Sequence, residues 1–415
     1  MRKIINKIIL LIVCALTVAC NDWLNVSPDA SVKSDDLYKS YEGFRTAVNG
    51  VYRLLGEPEL YARELTWGMV SVIGNNYDEA KLPLEYANLI NYSYTYSENS
   101  GVIDPVWEKG YAVIANCNDI IAHAMPCDTL FFPEGKMEKD LIVGEMLAVR
   151  ALVHFDLLRL FAPAPVTNPT GTYIPYVTEY PVHFSRHQTV QVVMDSIIND
   201  LTKAKSLLAA HDTLLNTTCM QSASYRFKQN SSYQQGGLFF NFRGARVNFC
   251  AATALLARAY MWRNAPGDRD KAYQAAMDMF RFSTDDDLHS DKKWFSFTSY
   301  YDLNGGGNGM SRKMYDDILF AAYNTNLYDL YEGKKVVSNY IVLKNYEGTV
   351  NLFGEDQEDF RLRSLIGNGG YSLRWEKPLT NETQTSQKAQ EVITYQGPLA
   401  PVIRMSEVYY TLCEC

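Results

Sequence analysis

The chain has 415 residues, of which 47% are hydrophobic and 21% charged, and these values exclude a disordered or collagen-like protein. Its 39 basic and 47 acidic residues give a net charge of −8, which argues against a surface for nucleic acid or anionic membranes. Aromatic residues make up 13% of the chain, and the 29 tyrosines outnumber the 18 phenylalanines. This surplus suits either a stacking surface for a polar ligand or tyrosines that cap a helical core with their hydroxyls outward.

The N-terminus has the pattern of an export signal. Three basic residues precede an apolar run over residues 8–18, which is too short to span a bilayer. Ala19 and Cys20 follow, and a small residue before a cysteine resembles the cleavage site of bacterial lipoproteins. We therefore expect residues 1–19 to be a lipoprotein signal peptide and Cys20 to carry the lipid that anchors residues 20–415 to a membrane. An ordinary secretory signal or an uncleaved anchor is the alternative.

Segments with the 3.6-residue periodicity of helices come in pairs along the body of the chain. They cover residues 137–161, 190–208, 251–262 and 271–281. In the first of them small residues come before large ones along one stripe: Gly144, Ala148, Ala151, Phe155 and Leu158. Small residues let a second helix approach closely, and paired helices of this kind are typical of tetratricopeptide hairpins, although no strict 34-residue period is present. The periodicity predicts a mostly α fold built from tetratricopeptide-like hairpins.

Long polar and aromatic stretches separate these helices. They cover residues 75–101, 161–188, 212–246, 285–313 and 345–401. Loops of this length in a compact protein are usually functional. No linker rich in proline and glycine divides the chain, so we expect residues 20–415 to form one helical domain with an embedded loop-rich region. Cys117 and Cys250 are expected to be small buried residues within helices.

No catalytic or metal-binding motif stands out in the sequence. His183 and His187 lack both the helix and the glutamate of a zinc protease motif. The glycine-rich residues 305–309 lack the lysine and hydroxyl residue of a phosphate-binding loop. Asp302 begins like a calcium loop, but the fifth and twelfth positions do not fit. We therefore expect a protein that is not an enzyme, with no metal assigned and no cofactor, while bound Ca²⁺ stays open.

Several blocks of sequence, in a fixed order, resemble one known family. The blocks are Cys20-Asn-Asp-Trp-Leu-Asn-Val-Ser-Pro28, Phe44 with Ala47-Val-Asn-Gly-Val-Tyr52, Gly144-Glu145 with Arg150-Ala151, Phe155-Asp-Leu-Leu-Arg-Leu-Phe161, Ile174-Pro-Tyr-Val177, and Ala254-Leu-Leu-Ala-Arg-Ala-Tyr260. Together they resemble the SusD/RagB family of outer-membrane nutrient-binding lipoproteins, and the likeness covers most of the expected mature chain. Family members continue beyond the helix near Arg404, so we expect the C-terminal end to be truncated at Cys415.

The resemblance implies both a fold and a role. The expected fold is a right-handed superhelical scaffold of helical hairpins, lipid-anchored on the outward face of the outer membrane. The expected role is to bind a polysaccharide or oligosaccharide and to deliver it to a SusC-like TonB-dependent transporter. A peptide ligand, as in the RagB branch, is the main alternative. A surface-anchored glycoside hydrolase and a structural scaffold are the others, and nucleic acid is not expected as a partner.

A sugar site needs a flat aromatic ring beside hydrogen-bonding groups, and two stretches of the chain combine them. The candidate ligand-binding residues are Trp67, Asn75, Asn76, Tyr77 and Asp78 near the N-terminal helix, and Trp294, Tyr300 and Tyr301 after the fourth periodic helix. The alternating Tyr92, Tyr94 and Tyr96 are the next candidates. For each aromatic residue the competing interpretation is that its ring packs in the local core.

Overall fold

The scaffold consists mostly of α-helices. A computed structural model describes residues 34–182, 184–228, 237–283, 293–303, 312–338, 341–344, 359–367, 369–376 and 392–415. The predicted signal peptide and Cys20 lie outside these residues. In chain order the helices are α1 (Ser34–Leu37), α2 (Tyr41–Leu55), α3 (Met69–Ile73), α4 (Leu84–Ala87), α5 (Ser100–Ala124), α6 (Gly135–Phe161), α7 (Val190–Ala210), α8 (Ala223–Phe227), α9 (Phe249–Arg263), α10 (Asp268–Phe280), α11 (Tyr300–Leu303), α12 (Leu327–Ser338), α13 (Phe360–Leu365) and α14 (Met405–Glu414).

The long helices pack against one another in chain order. Helix α2 packs on α5, α5 on α6, α6 on α7, α7 on α9, α9 on α10, and α10 on α14. Because these seven helices contact one another in the order in which they occur along the chain, the arrangement is that of stacked helical hairpins. The prediction of a mostly helical fold built from packed helix pairs is confirmed.

The four periodic segments all form helices, namely α6, α7, α9 and α10, with boundaries within three residues of the predicted ones. Thr189 caps α7, because its hydroxyl accepts a hydrogen bond from the backbone N–H of Val192 at 3.3 Å. Helix α6 differs from the prediction of a single apolar stripe, since residues 141–155 are buried on every side. The reason is that α2, α5, α7 and α9 all contact it, which makes α6 the central helix of the scaffold.

A glycine allows α6 and α7 to approach closely. A methyl group at Gly144 would lie 3.0 Å from Cγ of Leu208 and 3.1 Å from Cβ of Leu207, both on α7. Such distances are shorter than ordinary van der Waals contacts, so a side chain at this position would push the helices apart. This agrees with the small-residue pattern that the sequence shows in this part of α6.

The structure contains two short antiparallel sheets, of which the first lies almost wholly within residues 161–188, a stretch that the sequence assigned to a loop. The strands are β1 (Thr172–Ile174), β2 (Gln188–Thr189), β3 (Ile318–Tyr323) and β4 (Leu399–Arg404). Strand β1 pairs with β2, and β3 pairs with β4 in a register that places Tyr323 opposite Leu399. Residues 75–101 likewise contain helical turns and pack into a second apolar cluster around Tyr86, Leu89 and Ile90. Strand β1 and parts of residues 75–101 therefore have regular secondary structure where the sequence predicted loops.

A buried ion network connects the helices at the centre of the molecule. Glu145 on α6 is fully buried, and Arg243 donates to its Oε1 while Arg246 Nε donates to its Oε2 at 2.9 Å. The Tyr52 hydroxyl on α2 donates to the same Oε2 at 2.8 Å. Arg243 also donates through Nε and Nη2 to the two carboxylate oxygens of Asp212, at 2.8 and 3.0 Å. We call these five residues the Glu145 network.

Asp212 extends the network to the start of α9. It lies in a π-helical turn at residues 211–215, accepts the backbone N–H of Phe249 at 2.7 Å, and lies 2.8 Å from Nδ1 of His211. Burial alone would raise its pKa, but the charge of Arg243 and the contact with His211 hold the pKa of Asp212 well below its ordinary value. The ionised carboxylate therefore contributes stability above about pH 4, and that contribution is lost as the pH falls further.

A second buried polar cluster joins α5, α6 and α7. Arg150 on α6 donates through Nε to Asp200 on α7 at 2.8 Å and through Nη1 to Asn118 on α5 at 2.8 Å. The Tyr176 hydroxyl donates to Asp200 at 2.5 Å, and Asn118 donates to the carbonyl oxygen of Val177 at 3.0 Å. Arg150 and Tyr176, which belong to the blocks that carry the sequence resemblance, thus lie in the polar cluster that fixes the segment after β1.

His154 on α6 is buried in this cluster in a single tautomer. Its Nδ1 lies 2.8 Å from the carbonyl oxygen of Arg150, and its Nε2 accepts the backbone N–H of Val177 at 3.0 Å. The ring stacks on Tyr176 with a centroid distance of 4.0 Å. Nδ1 therefore carries the proton and Nε2 must stay unprotonated. Burial lowers the pKa of His154 to about 3.

We predict that His154 makes the fold sensitive to mild acid. The unfolded chain takes up a proton near pH 6.5. The buried ring takes one up only near pH 3. Stability therefore falls as the pH drops between these values, by about 3 kcal/mol at pH 4.5. Chemical denaturation across this range should show that His154→Gln removes this part of the loss. His187→Gln, at an exposed histidine, is the control and should keep the wild-type slope. Equal slopes for His154→Gln and the wild type would contradict the prediction.

Candidate functional site

An open apolar cavity lies between α3 and the C-terminal end of α6. Its volume is about 390 Å³. The lining residues are Met69, Ile73, Leu89, Tyr94, Ile103, Arg159, Leu160, Phe161, Ala162 and Pro163. Among them Arg159 is the one charged residue and Tyr94 the one tyrosine. We call this cavity the tyrosine cleft.

The loop that carries Tyr94 also exposes two further tyrosines. Tyr92, Tyr94 and Tyr96 are 60%, 49% and 54% exposed. Tyr92 ends the helical turn at Leu89–Asn91 in the left-handed conformation, with a φ of 56°. Buried Asn99 fixes the loop by donating from Nδ2 to the carbonyl oxygen of Ser93 at 2.6 Å. The rings are therefore held at the surface by a short segment that is anchored at both ends.

The hydroxyl of Tyr94 is suited to hydrogen bonding in its neutral form. Partial burial and the neighbouring Tyr92 raise the pKa of Tyr94 above its ordinary value. The hydroxyl therefore stays protonated at neutral pH and can both donate and accept a hydrogen bond. Tyr94 thus offers one flat apolar face and one polar group at the rim of an apolar cavity.

A second cavity, of about 470 Å³, opens on the other side of Arg159 and Leu160, which line both cavities. Its polar groups are paired with one another. The Tyr61 hydroxyl donates to Asp156 at 2.5 Å, and Arg258 donates through Nε and Nη2 to the two oxygens of Glu407. The lining residues are Tyr61, Leu65, Val70, Asp156, Arg159, Leu160, Arg258, Trp262, Pro401, Val402 and Glu407. We call this cavity the ionic cleft.

Trp67 and Tyr77, two of the predicted ligand residues, are buried. Trp67 packs edge-on against Tyr331 with a centroid distance of 5.2 Å, and the Tyr77 hydroxyl donates to the carbonyl oxygen of Trp67 at 2.5 Å. Neither ring offers a face to a ligand in this structure. Their assignment as stacking residues is therefore corrected, because both belong to the apolar cluster beneath α3.

Asn75, Asn76 and Asp78 follow the end of α3 at the surface. Asn75 Oδ1 accepts a hydrogen bond from Nζ of Lys344 at 2.9 Å, and the carbonyl oxygen of Asn76 accepts the backbone N–H of Lys344 at 2.8 Å. Asp78 caps the next helical turn by accepting the N–H of Ala80 at 3.1 Å. Both asparagines are exposed and lie two to three residues beyond Ile73, which lines the tyrosine cleft. Their amide groups therefore remain candidates for contacts at the edge of that cleft.

The second predicted stretch divides into a buried and an exposed part. Trp294 is buried and stacks on Phe282 at a centroid distance of 4.4 Å, so its assignment as a stacking residue is also corrected. The local-core interpretation fits Trp294, with Phe282 as the ring partner. Tyr300 and Tyr301 are exposed on α11. Neither lines the tyrosine cleft or the ionic cleft, so the two predicted stretches do not meet in one of these cavities.

Sequence reasoning missed Arg159 and the ionic cleft. Arg159 lies within the block from Phe155 to Phe161, and its side chain is 45% exposed near the end of a helix that is otherwise deeply buried. A charged residue in the last turn of so apolar a helix was the available signal. The second choice of candidates, Tyr92, Tyr94 and Tyr96, included Tyr94, which lines the tyrosine cleft.

The described part of the chain shows no group of three or more His, Cys, Asp and Glu side chains that could hold a metal ion. The segment that begins like a calcium loop at Asp302 continues into residues 304–311, which lie outside that part. Among the described residues, no helix is both long and apolar enough to cross a bilayer.

The chain is similar to proteins of known family. The SusD-like family described as "Starch-binding associating with outer membrane" matches residues 22–228, about half of the chain. SusD-like protein P25 of Formosa agariphila is 24% identical over 217 residues, which cover 50% of this chain and 38% of the relative. SusD-like protein P2 of the same organism is 21% identical over 164 residues, which cover 38% of this chain and 30% of the relative. The matches thus span well under half the length of these curated relatives.

Solved structures share the fold over nearly the whole chain. A SusD superfamily protein from Bacteroides thetaiotaomicron matches with a TM-score of 0.57 and 20% identity, over 92% of this chain and 76% of that one. A SusD-like carbohydrate binding protein from Bacteroides vulgatus matches with a TM-score of 0.51 and 14% identity, over 90% of this chain and 71% of that one. The sequence match over residues 22–228 shows that the chain belongs to the SusD-like family, and the solved structures share its helical fold.

Proposed function

We propose that this protein binds a polysaccharide or oligosaccharide in the tyrosine cleft. The observation that carries the proposal is the half-exposed ring of Tyr94 at the rim of an apolar cavity. A sugar ring has an apolar C–H face and a rim of hydroxyls, so it fits a flat aromatic face beside a few polar groups. The family description and the carbohydrate binding reported for a structural neighbour support this ligand class.

Different residues around the cleft would contact different parts of a bound sugar. Tyr94 offers its ring for stacking, and the apolar wall around Ile73 and Phe161 excludes water. The Arg159 guanidinium can donate to sugar hydroxyls at the boundary with the ionic cleft. Asn75 and Asn76 add amide groups beyond the end of α3. An extended chain of sugars could follow this path along the surface.

The carboxylates near the two clefts favour a protein that binds a glycan without hydrolysing it. None of the residues that line the tyrosine cleft is a carboxylate. In the ionic cleft Asp156 is held by the Tyr61 hydroxyl and by Arg159, and Glu407 is held by Arg258. A glycoside hydrolase places two carboxyl groups on either side of the bond that it breaks, one as acid and one as base or nucleophile. Carboxylates that are tied into ion pairs favour a binding role over the hydrolase alternative.

The ionic cleft is the observation that favours the second candidate, a peptide ligand. Its charged residues could pair with charged side chains or termini of a peptide, whereas stacking on Tyr94 is little affected by salt. Glycan binding should therefore persist at high ionic strength, and peptide binding should weaken.

The cellular role follows from the family and from the expected export signal. We propose that Cys20 carries the lipid anchor on the outer membrane and that the bound glycan passes to a SusC-like TonB-dependent transporter. The family description, which names association with the outer membrane, supports this placement.

Truncating Tyr94 tests the binding site. We predict that Tyr94→Ala weakens binding of an oligosaccharide at least about tenfold, because an exposed aromatic anchor contributes over about 1.4 kcal/mol. Titration calorimetry should use the best binder from an oligosaccharide panel. Tyr225→Ala removes another exposed tyrosine, which lines neither cleft, and should leave affinity unchanged. Wild-type affinity in Tyr94→Ala together with a loss in Tyr301→Ala would move the site to α11. No binding of any oligosaccharide would contradict the function.

Co-purification tests the proposed partner. From detergent-solubilised outer membranes, the full-length protein should bring down a large barrel protein, while Cys20→Ala should leave the membrane fraction altogether. Recovery of the wild type as a monomer, from cells that express a SusC-like transporter encoded beside it, would contradict the partnership. Unchanged membrane association and lipid labelling of Cys20→Ala would contradict the anchor.

A further inference from the structure

A group of basic residues lies where the β3–β4 sheet meets the segment that follows α13 and carries Trp375. We call Arg312, Lys313, Arg374 and Arg404 the cation cluster. Arg404, at the end of β4, donates to Asp317 and to the carbonyl oxygens of Lys313 and Met314, the last at 3.1 Å. It thereby fixes the segment that carries Lys313 at the entrance to β3.

The ammonium group of Lys313 is buried without a hydrogen-bond acceptor. The residue is 2% exposed, and its Nζ has no partner within hydrogen-bond distance. The groups that contact Nζ are aromatic rings, with centroids 4.1 Å away for Trp375 and 5.5 Å away for Tyr328. Aromatic faces attract a cation but do not replace the three hydrogen bonds that an ammonium makes in water. Nζ of Lys313 therefore has hydrogen-bonding capacity that the rings around it do not satisfy.

The positive charges around Lys313 further disfavour its protonated form. Burial lowers the pKa of Lys313 well below its ordinary value, and the positive charges of Arg374 and Arg404 lower it further. Among the acidic groups nearby, Asp317 already accepts from Arg404.

Arg312 also has a buried donor nitrogen without an acceptor. Its Nε is also buried without a hydrogen-bond partner. The acidic residue that interacts electrostatically with Arg312 is Glu376. Its carboxylate is already paired with Nζ of Lys335, at 2.7 Å. Within the described chain, the cation cluster therefore carries more positive charge than the neighbouring carboxylates balance.

We propose that the cation cluster binds an oxyanion, a carboxylate or sulfate group, that accepts hydrogen bonds from Lys313 and Arg312. Charged donors in a site shielded from water form strong hydrogen bonds to such groups. The anion would supply the acceptors that Nζ of Lys313 and Nε of Arg312 lack, and it would offset the charge of Arg374. None of the four residues lines the tyrosine cleft or the ionic cleft, so this site is separate from the proposed glycan site.

Two sources of the anion share this chemistry, namely a free inorganic ion and the acidic group of a sugar. Thermal unfolding and calorimetry with sodium sulfate, sodium galacturonate and neutral galactose, at constant ionic strength set with sodium chloride, distinguish them. Sulfate also stabilises proteins in general, but that effect does not saturate and is common to all variants. Saturable stabilisation by sulfate assigns a free oxyanion, and stabilisation by galacturonate alone assigns an acidic sugar.

Lys313→Met is the decisive variant, and Lys203→Met, at an exposed lysine on α7, is its matched control. Lys313→Met should weaken anion binding at least tenfold, while Lys203→Met should bind like the wild type. Without anion, Lys313→Met should melt at or above the wild-type temperature, because replacing an unpaired buried charge by an apolar side chain is neutral or stabilising. Arg374→Gln should weaken anion binding in the same direction and provides a second test if Lys313→Met does not fold.

Two results would overturn the proposal. One is the absence of saturable anion binding in the wild type. The other is equal binding in the wild type and both cluster variants. A melting temperature for Lys313→Met well below that of the wild type, with no response of the wild type to any anion, would assign Lys313 to packing against Trp375 instead.

Discussion

The structure depends on how the buried charge of Glu145 is neutralised. This carboxylate lies on the central helix α6, and two arginines and a tyrosine hydroxyl donate to it. A buried ion without such partners is strongly destabilising, so α6 can occupy the middle of the fold only while the segment carrying Arg243 and Arg246 is folded against it. Asp212, in the turn after α7, likewise needs Arg243 to offset its buried charge. Segments that are far apart in the chain must therefore come together at one point, which selects a single arrangement of the helices.

A rigid interior of this kind explains why the candidate binding surfaces lie where they do. The helices leave the C-terminal turn of α6 at the surface, and Arg159 separates an apolar cleft from an ionic one at that turn. The tyrosine loop is held by the buried side chain of Asn99, so Tyr94 reaches the cleft from a fixed base. Binding residues on short loops over a stable scaffold can vary between relatives without disturbing the core.

The helices were predictable because their signal is local. The apolar repeat of α6 and α7 and the cap at Thr189 can be read within a few turns of sequence. The partners of Glu145 could not be predicted in this way, since Arg243 is 98 residues away. The choice of Trp67, Tyr77 and Trp294 as ligand residues failed for a related reason. An aromatic residue beside polar neighbours looks the same in a sequence whether its ring faces solvent or, like Trp294 on Phe282, stacks within the core.

The free energy of unfolding of Arg243→Met tests the role of the Glu145 network most directly. Removing this guanidinium leaves Glu145 and Asp212 buried with fewer compensating donors, and the expected loss of stability at neutral pH is about 3–5 kcal/mol. Lys136→Met breaks an exposed pair with Asp140 on the same helix and should cost less than about 1 kcal/mol. A cost for Arg243→Met no larger than that of Lys136→Met, measured by chemical denaturation, would contradict the account.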